Sequence, residues 1–189
     1  MVRLDKIFTK GGDQGMTSLG DGKRMAKSDL LIHAIGDVDE ANAAIGVARL
    51  TSTEAADAAL RRIQNDLFDL GADLSVPPLG ADGETDEKLR IVESQISRLE
   101  QEIEDFNISL SPLKSFILPG GVPAAAHLHL ARTITRRAER LVAELTQSQD
   151  INPLILVYLN RLSDHLFVLA RVLNHKGEGD ELWRPAGNR

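Results

Sequence analysis

The stretch Thr9-Lys10-Gly11-Gly12-Asp13-Gln14-Gly15-Met16-Thr17-Ser18 gathers groups that can hold an oxyanion. Glycine lets backbone N–H groups approach a ligand closely. Hydroxyls and N–H groups bind phosphate oxygens, lysine neutralises them, and aspartate can hold Mg²⁺ directly or through water. Lys23, Arg24 and Lys27 follow the Gly20-Asp21-Gly22 turn and can add phosphate contacts or form a solvated basic turn. Taken alone, the segment suits either a nucleotide polyphosphate clasp or an ordinary polar turn.

A second group of cations sits far along the chain. Arg132, Arg136 and Arg140 recur every four residues, so on a helix they share a face, where like charges repel. Such a row calls for an anionic counterpart, either protein carboxylates or a ligand's phosphates. Glu139 and Glu144 partly balance it, which also suits a charged exterior. Asn160, within a greasy segment, is read as a buried amide that is either satisfied in the core or contacts a ligand. Gly36-Asp37-Val38-Asp39-Glu40 places three carboxylates together, as a solvated face does. Leu113 to Gly121 is more apolar than a solvent loop requires, and Phe116 lies in it. Such a loop packs beneath something or lines a pocket.

Several chemistries are excluded or disfavoured. Gly15 to Gly20 has the spacing of a phosphate-binding P-loop, but Asp21 stands where lysine is required. No strand–turn–helix context suits a dinucleotide fold. None of the five histidines has Glu three residues before it, as di-iron bundles require. His127 and His129 fall on different helix faces. No Gly-x-Ser-x-Gly elbow appears. With no cysteine, disulfides, thiolate metal sites and thiol catalysis are absent, which fits a reducing compartment. A net charge of −6 argues against nucleic-acid or anionic-membrane binding. There is no membrane-length apolar run and no signal-peptide core, so the expected location is cytoplasmic.

Helical periodicity supplies the elements that must position these groups. Leu31, Ile35, Val38, Ala41, Ile45 and Ala48 mark a helix from about Ser28 to Leu50. A second is expected over Glu54 to Leu74, with Leu60, Ile63, Leu67, Leu70 and Leu74 inward. After a break at Pro77-Pro78, Gly80 and Gly83, Thr85 is the expected cap of a third helix running to about Phe106. Its stripe is Leu89, Val92, Ile96, Leu99 and Ile103. Pro123 suits the first turn of a fourth helix that ends near Thr146. Asn152-Pro153 starts a fifth that ends near Asn174. Trp183, in the polar tail, is expected to dock on the bundle or on a neighbouring subunit. The chain of 189 residues reads as one all-α domain. It comprises a non-helical arm over 1–27, a five-helix bundle over 28–175 and a tail over 176–189.

Five segments in this order resemble the PduO-type ATP:cob(I)alamin adenosyltransferases. They are Thr9 to Ser18 with Lys27, Gly36 to Glu40, Phe116-Ile117-Leu118-Pro119-Gly120-Gly121, Arg132 to Arg140, and Tyr158-Leu159-Asn160-Arg161-Leu162-Ser163-Asp164. The resemblance implies a ferritin-like, up-and-down five-helix bundle assembled as a homotrimer with sites between subunits. It implies transfer of the 5′-deoxyadenosyl group of Mg-ATP to cob(I)alamin, with release of triphosphate. Thr9, Lys10, Gly11, Gly12, Thr17, Ser18, Lys27, Arg136, Arg137, Ala138, Glu139, Arg140 and Asn160 would then bind ATP, with Glu139 near its Mg²⁺. Arg136 and Arg140 would stabilise the leaving triphosphate, Asp39 would pair with Arg132 across the subunit boundary, and Phe116 would displace the lower ligand of cobalamin. Further implied partners are a cobalamin reductase and a B12-dependent enzyme that receives the product. A non-catalytic ATP- or cobalamin-binding sensor or delivery protein is the alternative. One departure is Gly11, where the family commonly has Thr or Asn.

Overall fold

The structure, a computed structural model, describes residues 8–76 and 89–187. Among these it contains five α-helices and one small hairpin. The helices are α1 (Leu30–Arg49), α2 (Glu54–Leu74), α3 (Glu93–Asn107), α4 (Pro123–Leu145) and α5 (Leu154–Leu173). Local chemistry sets their starts. Asp29 accepts the Leu31 N–H, and Thr53 caps α2 through the Ala56 N–H. Pro123 occupies the first turn of α4. The Asn152 side chain accepts from Leu154 N–H at 3.1 Å at the mouth of α5.

Helix α4 packs between α1 and α5, while α2 flanks α1 and α3 flanks α5. Ala34, Ala41 and Ala48 of α1, with Ala131 and Ala138 of α4, are fully buried. Small side chains there let the two helices come close. The inward residues expected of α2 are all buried, and Leu159, Leu162, Leu166 and Leu169 form the buried seam of α5. No described helix is long and apolar enough to cross a membrane.

Three features differ from the sequence expectations. Helix α3 begins at Glu93, and Leu89 and Val92 are exposed rather than inward. The buried Asp73 carboxylate explains the late start. It accepts from Ile91 N–H at 2.9 Å, Arg90 Nη1 at 2.7 Å and Asn152 Nδ2 at 2.7 Å, holding the chain out of helical register there. The expected break at Pro77 to Gly83, the Thr85 cap and residues 1–7 of the expected arm lie outside the described residues. Next, the arm contains an antiparallel hairpin, β1 (Met16–Ser18) with β2 (Arg24–Ala26), in register Ser18↔Arg24. Gly22, at φ +84°, makes its turn. Leu19 and Met25 seat the hairpin on the core. Finally, Trp183 docks on the Phe116 loop. An isolated bridge joins Ile117 to Leu182, and Trp183 N–H donates to the Phe116 carbonyl at 2.7 Å.

Candidate functional site

Helices α4 and α5 bring the C-terminal half of the arginine row against Asn160. A groove of about 490 Å³ opens there, lined by Arg136, Glu139, Arg140, Leu156, Val157 and Asn160 among others. Asn160 is exposed, so the reading of it as a buried amide is corrected. The next-but-two residue from Val157 on α5 turns outward, while the neighbouring Tyr158 and Leu159 take the core. Asn160 Nδ2 donates to Glu139 Oε1 at 2.8 Å. Arg136 Nη1 stands 4.0 Å from the other oxygen of Glu139. Arg140 Nη1 donates to the Arg136 carbonyl at 3.0 Å, and no carboxylate among the described residues forms an ion pair with it. Arg161 also lines the groove but is paired with Glu100 and Asp164, so Arg136 and Arg140 are left beside the single carboxylate of Glu139. The groove's spare donors suit a polyanion.

Not every residue of the arginine helix faces the groove. Arg137 turns to α1, where its Nε donates to Asp37 at 2.7 Å and its Nη2 reaches Glu40. Hydrogen bonds to Glu40 and Asp37 hold its pKa above the ordinary arginine value. Two of the three clustered carboxylates are therefore spent on joining α1 to α4, rather than forming a plain solvated face. Ala138 is fully buried, so its side chain packs the core and cannot meet a ligand. Arg132 is half-buried, with its guanidinium carbon 6.0 Å from the centre of the Phe167 ring. Its Nε has no hydrogen-bond partner. Burial, then the neighbouring Arg136, lowers its pKa, but arginine remains a cation. Asp39 is exposed on α1 and borders a largely apolar groove with Ile35 and Phe68, and it forms no ion pair among the described residues.

The N-terminal arm holds its own set. Lys27 N–H donates to the Gly15 carbonyl at 2.8 Å, which folds the end of β2 back on the glycine turn. A Cβ built at Gly12 would lie 2.9 Å from Lys27 Nζ, so glycine there admits the ammonium. Lys10 and Gly15 both take positive φ, at +60° and +76°. Thr9 Oγ1 accepts from Gly11 N–H at 3.4 Å. Thr17 is half-buried in β1, and Ser18 is exposed at its end. Within the chain, no described hydrogen bond or ion pair joins Thr9–Ser18 or Lys27 to Arg136, Glu139, Arg140 or Asn160. The structure assembles the two halves separately.

Phe116 is 77 % exposed on its loop, with its ring centre 6.0 Å from that of Trp183. Ser115 Oγ donates to the Trp183 carbonyl at 2.8 Å, and Leu118 N–H donates to the Glu181 carbonyl at 2.8 Å. The tail therefore fixes the loop while leaving the phenyl ring open. From the sequence, Arg24 belongs either to a second set of phosphate contacts or to a solvated basic turn, with no bond partner assigned. Its position opposite Ser18 follows only from the hairpin register. The outward side chains beside the Gly20-Asp21-Gly22 turn were the available signal.

A family model described as cobalamin adenosyltransferase matches residues 7–173. A corrinoid adenosyltransferase of Mycobacterium tuberculosis is 49% identical over 193 residues, covering 100% of this chain and 97% of that protein. A cobalamin adenosyltransferase of Cupriavidus metallidurans is 49% identical over 186 residues, covering 96% of each. Among solved structures, a phenylalanine-to-alanine variant of a PduO-type ATP:corrinoid adenosyltransferase from Lactobacillus reuteri, complexed with cobalamin and ATP, superposes with a TM-score of 0.86. It is 38% identical, and the match covers 95% of this chain and 99% of that one. By sequence along nearly its whole length and by fold, the chain belongs to the cobalamin adenosyltransferase family.

Proposed function

We propose that this protein transfers the 5′-deoxyadenosyl group of ATP to the cobalt of cob(I)alamin, giving adenosylcobalamin and triphosphate. The observation that carries the reading is the α4–α5 groove, where Arg136 and Arg140 face outward beside a single carboxylate held by Asn160. The Co–C5′ bond forms as the C5′–O bond breaks. The cobalt supplies the electron pair, and the triphosphate leaves with the C–O pair. Co(I) is itself the nucleophile, so no protein base is needed to activate it. The protein aligns the partners and stabilises the charge that grows on the leaving oxygens. Arg136 and Arg140, with Lys10 and Lys27 of the arm, perform the second task.

The donor set suits ATP-borne Mg²⁺. That ion keeps several waters and takes one or two carboxylates beside the phosphates, as Glu139 offers. When bound, it neutralises phosphate charge. Among the described residues there is no cluster of three acidic or histidine side chains, so the site suits a metal that arrives with its ligand. Asn160 holds Glu139 in place, and Phe116 would cover the lower face of the corrin. Displacing the lower nitrogen ligand makes cob(II)alamin easier to reduce, so a reductase is a further expected partner and a B12-dependent enzyme the expected recipient. We place the reaction in the cytoplasm. The catalytic unit is a homotrimer with Asp39 and Arg132 of neighbouring subunits paired. The exposed Asp39 and the lack of an ion pair to either Asp39 or Arg132 among the described residues support that pairing.

The test is anaerobic incubation with Mg-ATP and prereduced cob(I)alamin, followed by the Co–C absorption spectrum and released triphosphate. Product from the wild-type chain is expected. ATP binding without product would favour the sensor or delivery reading instead.

A further inference from the structure

Arg24 extends from β2 back across the glycine turn. Its Nη2 donates to the Gly11 carbonyl at 2.6 Å, and its Nη1 donates to Ser18 Oγ at 3.1 Å. No carboxylate among the described residues forms an ion pair with it. One planar fork thus ties the Gly11 peptide to Ser18, two residues that no other described hydrogen bond joins. Gly11 has no side chain with which to fix its own peptide. A Cβ there would meet only ordinary contacts, 3.5 Å from Thr9 Oγ1 and 4.0 Å from Arg24 Nη1, so sterics do not demand the glycine. The peptide is instead oriented by the guanidinium held on its carbonyl.

We infer that Arg24 is a positioning residue for ATP, clamping the Gly11 peptide and the Ser18 hydroxyl into one preformed phosphate-facing turn. The inference rests on the adenosyltransferase reading of the arm. Two consequences follow from the bond directions. The Gly11 carbonyl oxygen, held by Arg24, is turned away from any polyphosphate that it would repel. Ser18 Oγ, accepting from Arg24, keeps its O–H proton for a phosphate oxygen. The cation also polarises that hydroxyl. A fork is required because the two acceptors lie seven residues apart, one in the turn before β1 and one at the end of β1, and a single ammonium cannot reproduce its planar two-point geometry.

The experiment is steady-state kinetics on the full chain under anaerobic conditions with cob(I)alamin, for Arg24→Gln, Arg24→Lys, Ser18→Ala and the Arg24→Gln/Ser18→Ala double variant. Arg24→Gln is expected to raise KM for ATP about tenfold while KM for cob(I)alamin stays within about twofold. Arg24→Lys keeps the charge and is expected to behave like Arg24→Gln. The double variant is expected to fall well short of the product of the two single effects, because both remove one bond. Full recovery by lysine would reduce Arg24 to a diffuse charge and overturn the clamp, and so would multiplicative effects of the two single changes. Equilibrium dialysis with ATP alone reads the same contrast without turnover. A wild-type chain that binds ATP in the same rank order yet makes no product would keep the clamp and lose only the transferase reading. A wild-type chain that does not bind ATP would lose both.

Discussion

Arg136 and Arg137 are adjacent in sequence, yet they serve different parts of the molecule. Consecutive helix positions diverge by about 100°, so Arg137 meets Asp37 and Glu40 on α1 while Arg136 opens into the α4–α5 groove. The row of arginines was legible from its spacing. Their division was not, because it depends on which neighbouring helix supplies acids. The same holds for Asn160, whose greasy surroundings suggested burial although its side chain projects at the rim to hold Glu139. Replacing Arg136 by Ala removes a donor that acts on charge appearing in the transition state. A loss of about 10²-fold in kcat is expected, with KM for ATP changing less. Near-normal turnover at saturating ATP and cob(I)alamin would remove Arg136 from that role. Phe116→Ala should slow the reaction started from cob(II)alamin plus a reductant far more than the one started from cob(I)alamin. Its ring is open to ligand while its backbone is tied to Trp183, so truncation should leave the loop in place. Equal losses on both routes would sink its role in lower-ligand displacement.

The helices themselves were largely readable, since apolar spacing and caps act within one element. Helix α2 spans the residues its pattern implied, because Thr53 and the Leu60–Leu74 stripe are local signals. The hairpin and the start of α3 were not readable, for each is set by distant partners. Met25 and Leu19 rest on the bundle, and Asp73 takes the Ile91 N–H ahead of the helix. Helix α3 is further tied to α5 and α2 through Glu102. It accepts from the buried His165 Nε2 at 2.8 Å and is paired with Arg62. Burial works against this carboxylate, but the His165 and Arg62 contacts outweigh it and hold its pKa below the ordinary 4.5. A carboxyl with a depressed folded pKa stabilises the fold above its unfolded value, and that contribution fades as pH falls through the folded value. Glu102→Gln should therefore lower Tm at neutral pH, with the gap to wild type narrowing as pH drops below 4.5. Thermal unfolding across that range by circular dichroism checks it. A gap that widens on acidification would contradict the assignment.

At the scale of the whole molecule, the proposed site falls on two separate parts of one chain. The arm offers Thr9 to Ser18 and Lys27, clamped by Arg24, and the groove offers Arg136, Glu139, Arg140 and Asn160. The residue types of both halves were visible in the sequence, but whether they meet within a protomer is a property of the tertiary fold. Among the described residues they share no hydrogen bond or ion pair in the protomer. Phe68, 72 % exposed beside Asp39, marks an apolar face on α1–α2 that a neighbouring subunit would cover. A ring of like subunits uses a heterologous contact, so the arm of one can complete the groove of the next. That arrangement makes complementation a sharp test. Lys27→Ala damages only the arm, and Arg136→Ala damages only the groove, so each pure variant should be nearly inactive. After unfolding and refolding together in equal amounts, random assembly leaves about a quarter of the interfaces with both halves intact. Activity should recover to roughly that fraction of wild type, with co-purification of differently tagged variants confirming mixed trimers. If mixed trimers form and no activity returns, both halves of each site belong to a single protomer and the split arrangement is wrong.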